Sequence, residues 1–119
     1  IEEATSFYRD SFGVAEWDLI EMPERHMRVA TAWVGETFLE LIAPTSADAA
    51  FAKYLAERGP GMHHVAYRVA DIAATLDELR AKGVRLIDEQ PRPGLHNTLV
   101  AFVHPKGAMG VLIELVQHV

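Results

Sequence analysis

Two glutamates at matching places in two similar apolar segments are the first residues of this sequence that could do chemistry. Glu40 lies within residues 38–42 (FLELI), and Glu114 lies within residues 112–116 (LIELV). A carboxylate among apolar residues is costly to bury unless it is protonated, ion-paired or bound to a metal, or faces water from a strand. A wet strand face would explain either glutamate alone, but the repetition favours a functional role for both.

His64 is the third candidate because the alternation along a strand at residues 63–69 places it opposite the apolar side chains. The apolar side chains are Val65, Tyr67 and Val69, and they should pack under the following helix. His63 is expected on the same side as these residues. A lone strand histidine is more often structural than a ligand. If the two segments face each other, however, His64, Glu40 and Glu114 form a nitrogen-and-oxygen donor set suited to Co²⁺, Mn²⁺, Zn²⁺ or Ni²⁺.

Composition excludes several classes of function. Among 119 residues there is no cysteine, so disulfides, thiolate metal sites and a cysteine nucleophile are absent, and the six histidines gain importance. Eleven Lys and Arg against 17 Asp and Glu give a net charge of −6, which argues against a nucleic-acid partner. The apolar runs are too short for a transmembrane helix, so we expect no membrane partner.

A loop between two expected strands, residues 91–97, carries cationic and polar groups that could contact an anionic substrate. Its candidates are Arg92 and His96, and Lys106 in a later turn is a third. An ordinary surface loop with solvated charges is an equally good interpretation.

Spacing and turn residues predict the elements that hold these candidates. The first half reads as an amphipathic helix over residues 1–12, with the stripe Ala4, Phe7, Tyr8 and Phe12 and a stop at Gly13. Three strands follow at 14–20, 27–34 and 37–42, and then a helix capped by Thr45 or Ser46 that runs through Arg58. The second half reads as a strand at 63–69, a helix capped by Asp71, and strands at 84–88, 99–104 and 110–116.

The two halves resemble each other, which predicts an α+β fold of two tandem βαβββ modules. The expected organisation is a single domain with a first module at residues 1–45, a linking helix at 46–61 and a second module at 62–119. In this scheme the first module lacks its opening strand. The counterpart of His64 would lie about seven residues before Ile1.

Several segments resemble the methylmalonyl-CoA epimerase branch of the vicinal oxygen chelate (glyoxalase/bleomycin-resistance/dioxygenase) superfamily. They are FYRD at 7–10 with FG at 12–13, LELIAP at 39–44, GMHHVA at 61–66, KGVRLIDE at 82–89, PRPG at 91–94 with His96, FVHPK at 102–106, and GVLIEL at 110–115. The early segments are general to the superfamily. The paired histidines, the PRPG loop and the HPK turn are more specific to the epimerase branch.

The resemblance implies a cleft-shaped, incomplete barrel around one divalent metal ion. Its ligands would be a histidine of the first strand, absent from this chain, together with Glu40, His64 and Glu114. It also implies interconversion of the two methylmalonyl-CoA epimers by removal of the proton alpha to the thioester through an enolate. Glu40 and Glu114 would then serve as bases, although Val29 stands where some members carry a further glutamate and leaves the second base open.

Two alternatives to the epimerase remain at this point. One is another glyoxalase-like lyase of the same superfamily, and the other is a metal-free ligand-binding module of the resistance type, which the retained Glu40, His64 and Glu114 argue against. By analogy with the superfamily we expect a homodimer. The resemblance to the epimerase branch implies an acyl-CoA small-molecule substrate, and a cytoplasmic location is the default expectation.

Overall fold

The first unit of the computed structural model, residues 1–61, consists of a helix, an antiparallel sheet and a short second helix; the structure describes all 119 residues. Its elements are α1 (Glu2–Phe12), β1 (Asp18–Met22), a 3-10 turn (Pro23–Arg25), β2 (Met27–Val34), β3 (Thr37–Pro44) and α2 (Ala52–Arg58). The strand order is β1-β2-β3, so β3 has a strand neighbour on one edge only.

The register of β2 and β3 separates the two faces of this sheet. Thr31 lies opposite Glu40, and the adjacent pair, Ala30 and Leu41, points to the other face. Arg28 shares the face of Ala30, and its guanidinium binds Glu2 of α1 at 2.8 Å. Glu40 therefore lies on the sheet face opposite Arg28 and Ala30.

Three expectations for the first unit are corrected by the structure. The first strand begins at Asp18, and residues 14–17, in which the Trp17 indole donates to the Val14 carbonyl at 2.9 Å, form no regular element. Helix α2 begins at Ala52, since the Ser46 hydroxyl accepts from the Asp48 amide within a turn instead of capping a helix. The apolar stripe of α1 is also less buried than expected, with Phe12 68% exposed.

The second unit, residues 62–119, is a four-stranded sheet with one long helix on one face. Its elements are β4 (Val65–Arg68), α3 (Ile72–Ala81), β5 (Arg92–Pro93), β6 (Thr98–Val103), a 3-10 turn (Pro105–Gly107) and β7 (Ile113–His118). The strand order is β4-β7-β6-β5, with β4 parallel to β7 and the other pairs antiparallel.

The core of the second unit lies between α3 and the sheet. Its fully buried members are two helix residues and three strand residues: Ile72, Leu76, Ala101, Val103 and Leu115. Val69 packs against this cluster as expected, but Tyr67 is 56% exposed. The prediction that Tyr67 packs under α3 is therefore wrong, since β4 is an edge strand and Tyr67 lies beyond the cover of the helix.

The strand expected at residues 84–88 is also wrong. Only one isolated bridge forms there, between Leu86 and Val103, and the second strand of this unit is the two-residue β5. The Asp88 carboxylate accepts from the Phe102 amide at 2.8 Å. That amide is thus satisfied by a side chain, and a regular backbone ladder does not form at this point.

Helix α3 begins with a cap that the sequence predicts. The Asp71 carboxylate accepts from the Ala74 amide at 3.0 Å. None of the three helices is long and apolar enough to cross a membrane.

We expect Asp71→Ala to lower the free energy of unfolding by about 1 kcal/mol, because it removes the side-chain acceptor at the start of α3. Urea denaturation measures this loss. Asp71→Asn is the matched control, since its amide oxygen can still accept from Ala74. Equal destabilisation by both substitutions would contradict the capping role.

Candidate functional site

Glu114 lies on the sheet face of the second unit that α3 does not cover. It stands opposite Phe102 of β6 and Ala66 of β4 in the strand register. The next pair, Ala101 and Leu115, points into the core beneath α3. Because side chains alternate along a strand, Glu114, Phe102 and Ala66 share the helix-free face. The Glu114 side chain is partly buried there.

His64 contributes its imidazole to the same face. It immediately precedes β4, and the Val65 amide already bonds to the Leu112 carbonyl of the segment leading into β7. The His64 ring meets the Phe102 ring edge-on, with centroids 5.8 Å apart. The structure thus brings the predicted residues His64 and Glu114 to one face of one sheet, on neighbouring strands.

His63 is turned toward His64, which differs from the expectation that it joins the core side. The two Nδ1 atoms are 2.9 Å apart, and the rings are nearly perpendicular. Regular alternation does not extend to His63 because β4 begins only at Val65. Burial lowers the pKa of His63, while burial and then the nearby His63 lower the pKa of His64. Both rings are held toward the neutral form, which is the form that binds metals.

Phe102 connects His64 to the predicted substrate residue Arg92. The Arg92 guanidinium lies 5.6 Å from the centre of the Phe102 ring, and its Nε is 3.4 Å from a carboxylate oxygen of Asp88. The other Asp88 oxygen accepts from the Phe102 amide. The Phe102 ring and the half-buried Asp88 carboxylate therefore place the Arg92 guanidinium next to the sheet face that carries His64 and Glu114.

Sequence reasoning missed both Phe102 and Asp88. Phe102 stands opposite Glu114 in an antiparallel strand pair and shares its sheet face, so strand alternation could have identified Phe102. The second is a contact between a side chain and a backbone amide 14 residues away, which no local pattern encodes.

The other two predicted substrate residues lie at opposite ends of β6. His96 occupies the turn between β5 and β6 with a φ of 54°, and Lys106 lies in the 3-10 turn after β6. Five residue steps along a strand correspond to about 17 Å. Within this unit, then, Arg92 lies near the His64 and Glu114 face, whereas His96 and Lys106 mark the two ends of the strand.

Glu40 lies on β3 in the sheet of the first unit. It stands opposite Thr31, which is almost fully buried, and its neighbours on the same face are Phe38 and Ile42. The Phe38 ring packs against Trp33 with centroids 4.9 Å apart. The face around Glu40 is thus partly apolar.

His64 and Glu114 offer the nitrogen and oxygen donors that divalent first-row metals take. The structure assembles no group of three or more His, Asp or Glu side chains that could hold a metal ion by themselves. The set of His64, Glu40 and Glu114 therefore stays a prediction. None of these three residues lines either of two cavities in the structure. One cavity has a volume of about 420 Å³ and is lined by Arg68, Val69, Ala70 and His118.

Comparison with known proteins gives consistent results. The profile of the "Glyoxalase/Bleomycin resistance protein/Dioxygenase superfamily" matches residues 1–102. The mitochondrial methylmalonyl-CoA epimerase of Mus musculus is 36% identical over 98% of this chain, which spans 66% of the mouse protein. The "Ethylmalonyl-CoA/methylmalonyl-CoA epimerase" of Cereibacter sphaeroides is 33% identical over 98% of the chain and 89% of its own length.

A solved structure shows the same similarity in three dimensions. It is described as methylmalonyl-CoA epimerase in complex with methylmalonyl-CoA and NH₄⁺. The two chains are 35% identical and superpose with a TM-score of 0.90, over 99% of this chain and 86% of the other.

The lowered pKa values of His63 and His64 predict a loss of stability in acid. Unfolded imidazoles, with an ordinary pKa of 6.5, take up protons that the folded rings resist. The free energy of unfolding should therefore be constant above that pKa and fall as the pH drops through the folded values. Urea denaturation from about pH 7.5 to 5 measures this, with the double variant His63→Gln/His64→Gln expected to lose less. An identical pH profile for both proteins would contradict the assignment.

Proposed function

The chain belongs to the glyoxalase/bleomycin resistance protein/dioxygenase superfamily, and we propose that it interconverts the two epimers of methylmalonyl-CoA. The observation that carries the proposal is the placement of Glu114 and His64 together on the helix-free face, with Arg92 beside them. Near-full-length similarity to proteins named as methylmalonyl-CoA epimerases supports it.

We further infer that the two units are copies of one module. In the first unit the pair Thr31–Glu40 adjoins Ala30–Leu41, and in the second unit the pair Phe102–Glu114 adjoins Ala101–Leu115. Both alanines are completely buried. The two glutamates thus occupy the same position relative to the core of their units, which suits a reaction needing one proton-transfer group for each face of a carbon atom.

The residues proposed to hold a divalent metal are His64 and Glu114, with Glu40 as the third, as the family resemblance implies. A bound Co²⁺, Mn²⁺, Zn²⁺ or Ni²⁺ would act as a Lewis acid that stabilises the enolate oxygen of the substrate. His64 suits this role because its lowered pKa keeps the imidazole neutral.

Proton transfer is assigned to the two glutamate carboxylates. The hydrogen to be moved is on the carbon between the carboxylate and the thioester of the substrate, and epimerisation requires its removal on one face and its return on the other. A carboxylate that is tied to a metal is a weaker base. Val29 offers no group for proton transfer, which leaves the second base open, and we propose Glu40 and Glu114 for the acid and base roles.

An acyl-CoA substrate fits the spread of the remaining candidates. Such a substrate is long and anionic, and His96 and Lys106 flank β6, which is itself about 17 Å long. We propose that Arg92 binds the acyl carboxylate or thioester end, and that the residues at the strand ends contact the rest. The homodimer and the cytoplasmic location remain predictions.

Glu114→Gln and Glu40→Gln should each lower kcat by at least about 100-fold, because an amide can still bind a metal but cannot take a proton. The assay follows one methylmalonyl-CoA epimer with added divalent metal in deuterated water, and records both α-proton exchange by NMR and formation of the other epimer. The matched controls are Glu57→Gln and Glu78→Gln, which alter surface glutamates paired with Lys53 and Lys82.

If the unaltered protein neither exchanges the α-proton nor forms the other epimer, the epimerase proposal is overturned. No exchange with methylmalonyl-CoA, together with conversion of an α-oxo substrate, would favour a lyase of the same superfamily. Binding without exchange would favour a ligand-sequestering module.

Arg92→Leu should raise KM by about tenfold with a smaller change in kcat, because a binding contact common to substrate and transition state is lost. Initial rates over a range of substrate concentrations separate the two constants. Lys53→Met, which removes an exposed cation in the first unit, is the control for net charge. A fall in kcat at constant KM would contradict a substrate-binding role for Arg92.

A further inference from the structure

His63 lies against the candidate ligand His64 in a geometry that restricts the protonation of both rings. The two Nδ1 atoms are 2.9 Å apart, which is a hydrogen-bond distance. One nitrogen must donate and the other must accept, so a single proton lies between them. The pair therefore has two possible arrangements, and they differ in which nitrogen of His64 keeps a free lone pair.

In the first arrangement, His63 donates and His64 accepts at Nδ1. Neutral His64 then carries its own proton on Nε2 and has no lone pair left for a metal. In the second arrangement, His64 donates from Nδ1–H and His63 accepts. His64 Nε2 is then unprotonated and can bind a cation, while His63 keeps its proton on Nε2.

We propose that His63 is a positioning residue that accepts the Nδ1 proton of His64 and so keeps His64 Nε2 available for a divalent metal. This inference rests on the proposed function, because it takes His64 as a ligand. Metal-binding histidines commonly donate their second ring N–H to an acceptor that fixes tautomer and orientation, usually a carboxylate or carbonyl. Here the adjacent residue of the chain takes that place.

Two ring contacts restrain the His64 imidazole. The His63 ring centroid is 5.1 Å from it, and the Phe102 ring centroid is 5.8 Å from it, each in a nearly perpendicular arrangement. Backbone pairing of Val65 to Leu112 fixes the chain directly after His64. Rotation of the imidazole is therefore limited by aromatic packing, and the hydrogen bond with His63 selects its tautomer.

The tautomer can be measured without any metal. Long-range ¹H–¹⁵N correlation spectra of the ¹⁵N-labelled, metal-free protein at about pH 7.5 distinguish the two neutral forms of each histidine. The proposal expects the Nδ1–H tautomer for His64 and the Nε2–H tautomer for His63. Observation of the Nε2–H tautomer for His64 would overturn it.

Two substitutions at position 63 then test the effect on metal binding. His63→Phe keeps a ring but removes the acceptor, whereas His63→Asn keeps an acceptor, because its Oδ1 can lie near the place of Nδ1. Titration with Co²⁺, followed by its visible absorption, should show affinity reduced about 10- to 100-fold in His63→Phe and largely restored in His63→Asn. Equal affinity in His63→Phe and the unaltered protein would overturn the proposal.

Failure of this inference and failure of the proposed function give different results. If the unaltered protein binds no Co²⁺, the metal role of His64 is wrong, and the NMR tautomer alone decides whether His63 is the acceptor. If Co²⁺ binds and depends on His64 but not on His63, the metal site stands and the positioning role is overturned. Folding of each variant is checked by circular dichroism, and the NMR measurement on the unaltered protein needs no variant.

Discussion

The register of the central antiparallel strand pair is the constraint on which the second unit depends. With Phe102 opposite Glu114, the neighbouring pair Ala101 and Leu115 enters the core beneath Ile72 and Leu76. A slip of one residue would turn the Glu114 carboxylate into that core and Leu115 out of it. Burial of an unpaired carboxylate and loss of a buried leucine are both costly, so the residues that hold the fold together also fix the face on which the chemistry can occur.

Everything else on that face follows from the same register. Because Phe102 is pinned opposite Glu114, its ring can contact His64 on one side and the Arg92 guanidinium on the other. Asp88 strengthens the arrangement by accepting from the Phe102 amide and approaching Arg92. Arg92 follows in the short strand β5, which pairs with β6.

The sequence was sufficient where a local pattern carried the information. The bounds of β2 at Met27–Val34, the cap at Asp71 and the stop of α1 at Gly13 agree with expectation, because alternation, capping and left-handed backbone depend on near neighbours. The segment at residues 84–88 has the alternation of a strand and still forms none. The Phe102 amide there donates to the Asp88 carboxylate 14 residues away, a contact that local alternation does not encode.

The same distinction separates His64 from His63. Alternation placed His64 on the helix-free face, and the contact of its ring with Phe102 agrees. The same rule placed His63 on the opposite face. Both histidines precede β4, but His64 directly adjoins the Val65–Leu112 backbone hydrogen bond, whereas His63 lies one residue further out.

Partial burial makes the His63–His64 contact consequential. In water either ring could find another partner at small cost, whereas a half-buried ring nitrogen that loses its partner incurs a desolvation penalty. The pKa values of both histidines are lowered because burial disfavours the charged form of each ring. A pair of neutral imidazoles sharing one proton is the state that satisfies both the burial and the 2.9 Å separation. The irregular start of β4 thus brings the two rings together, and the position of their shared proton decides which atom His64 can offer to a ligand.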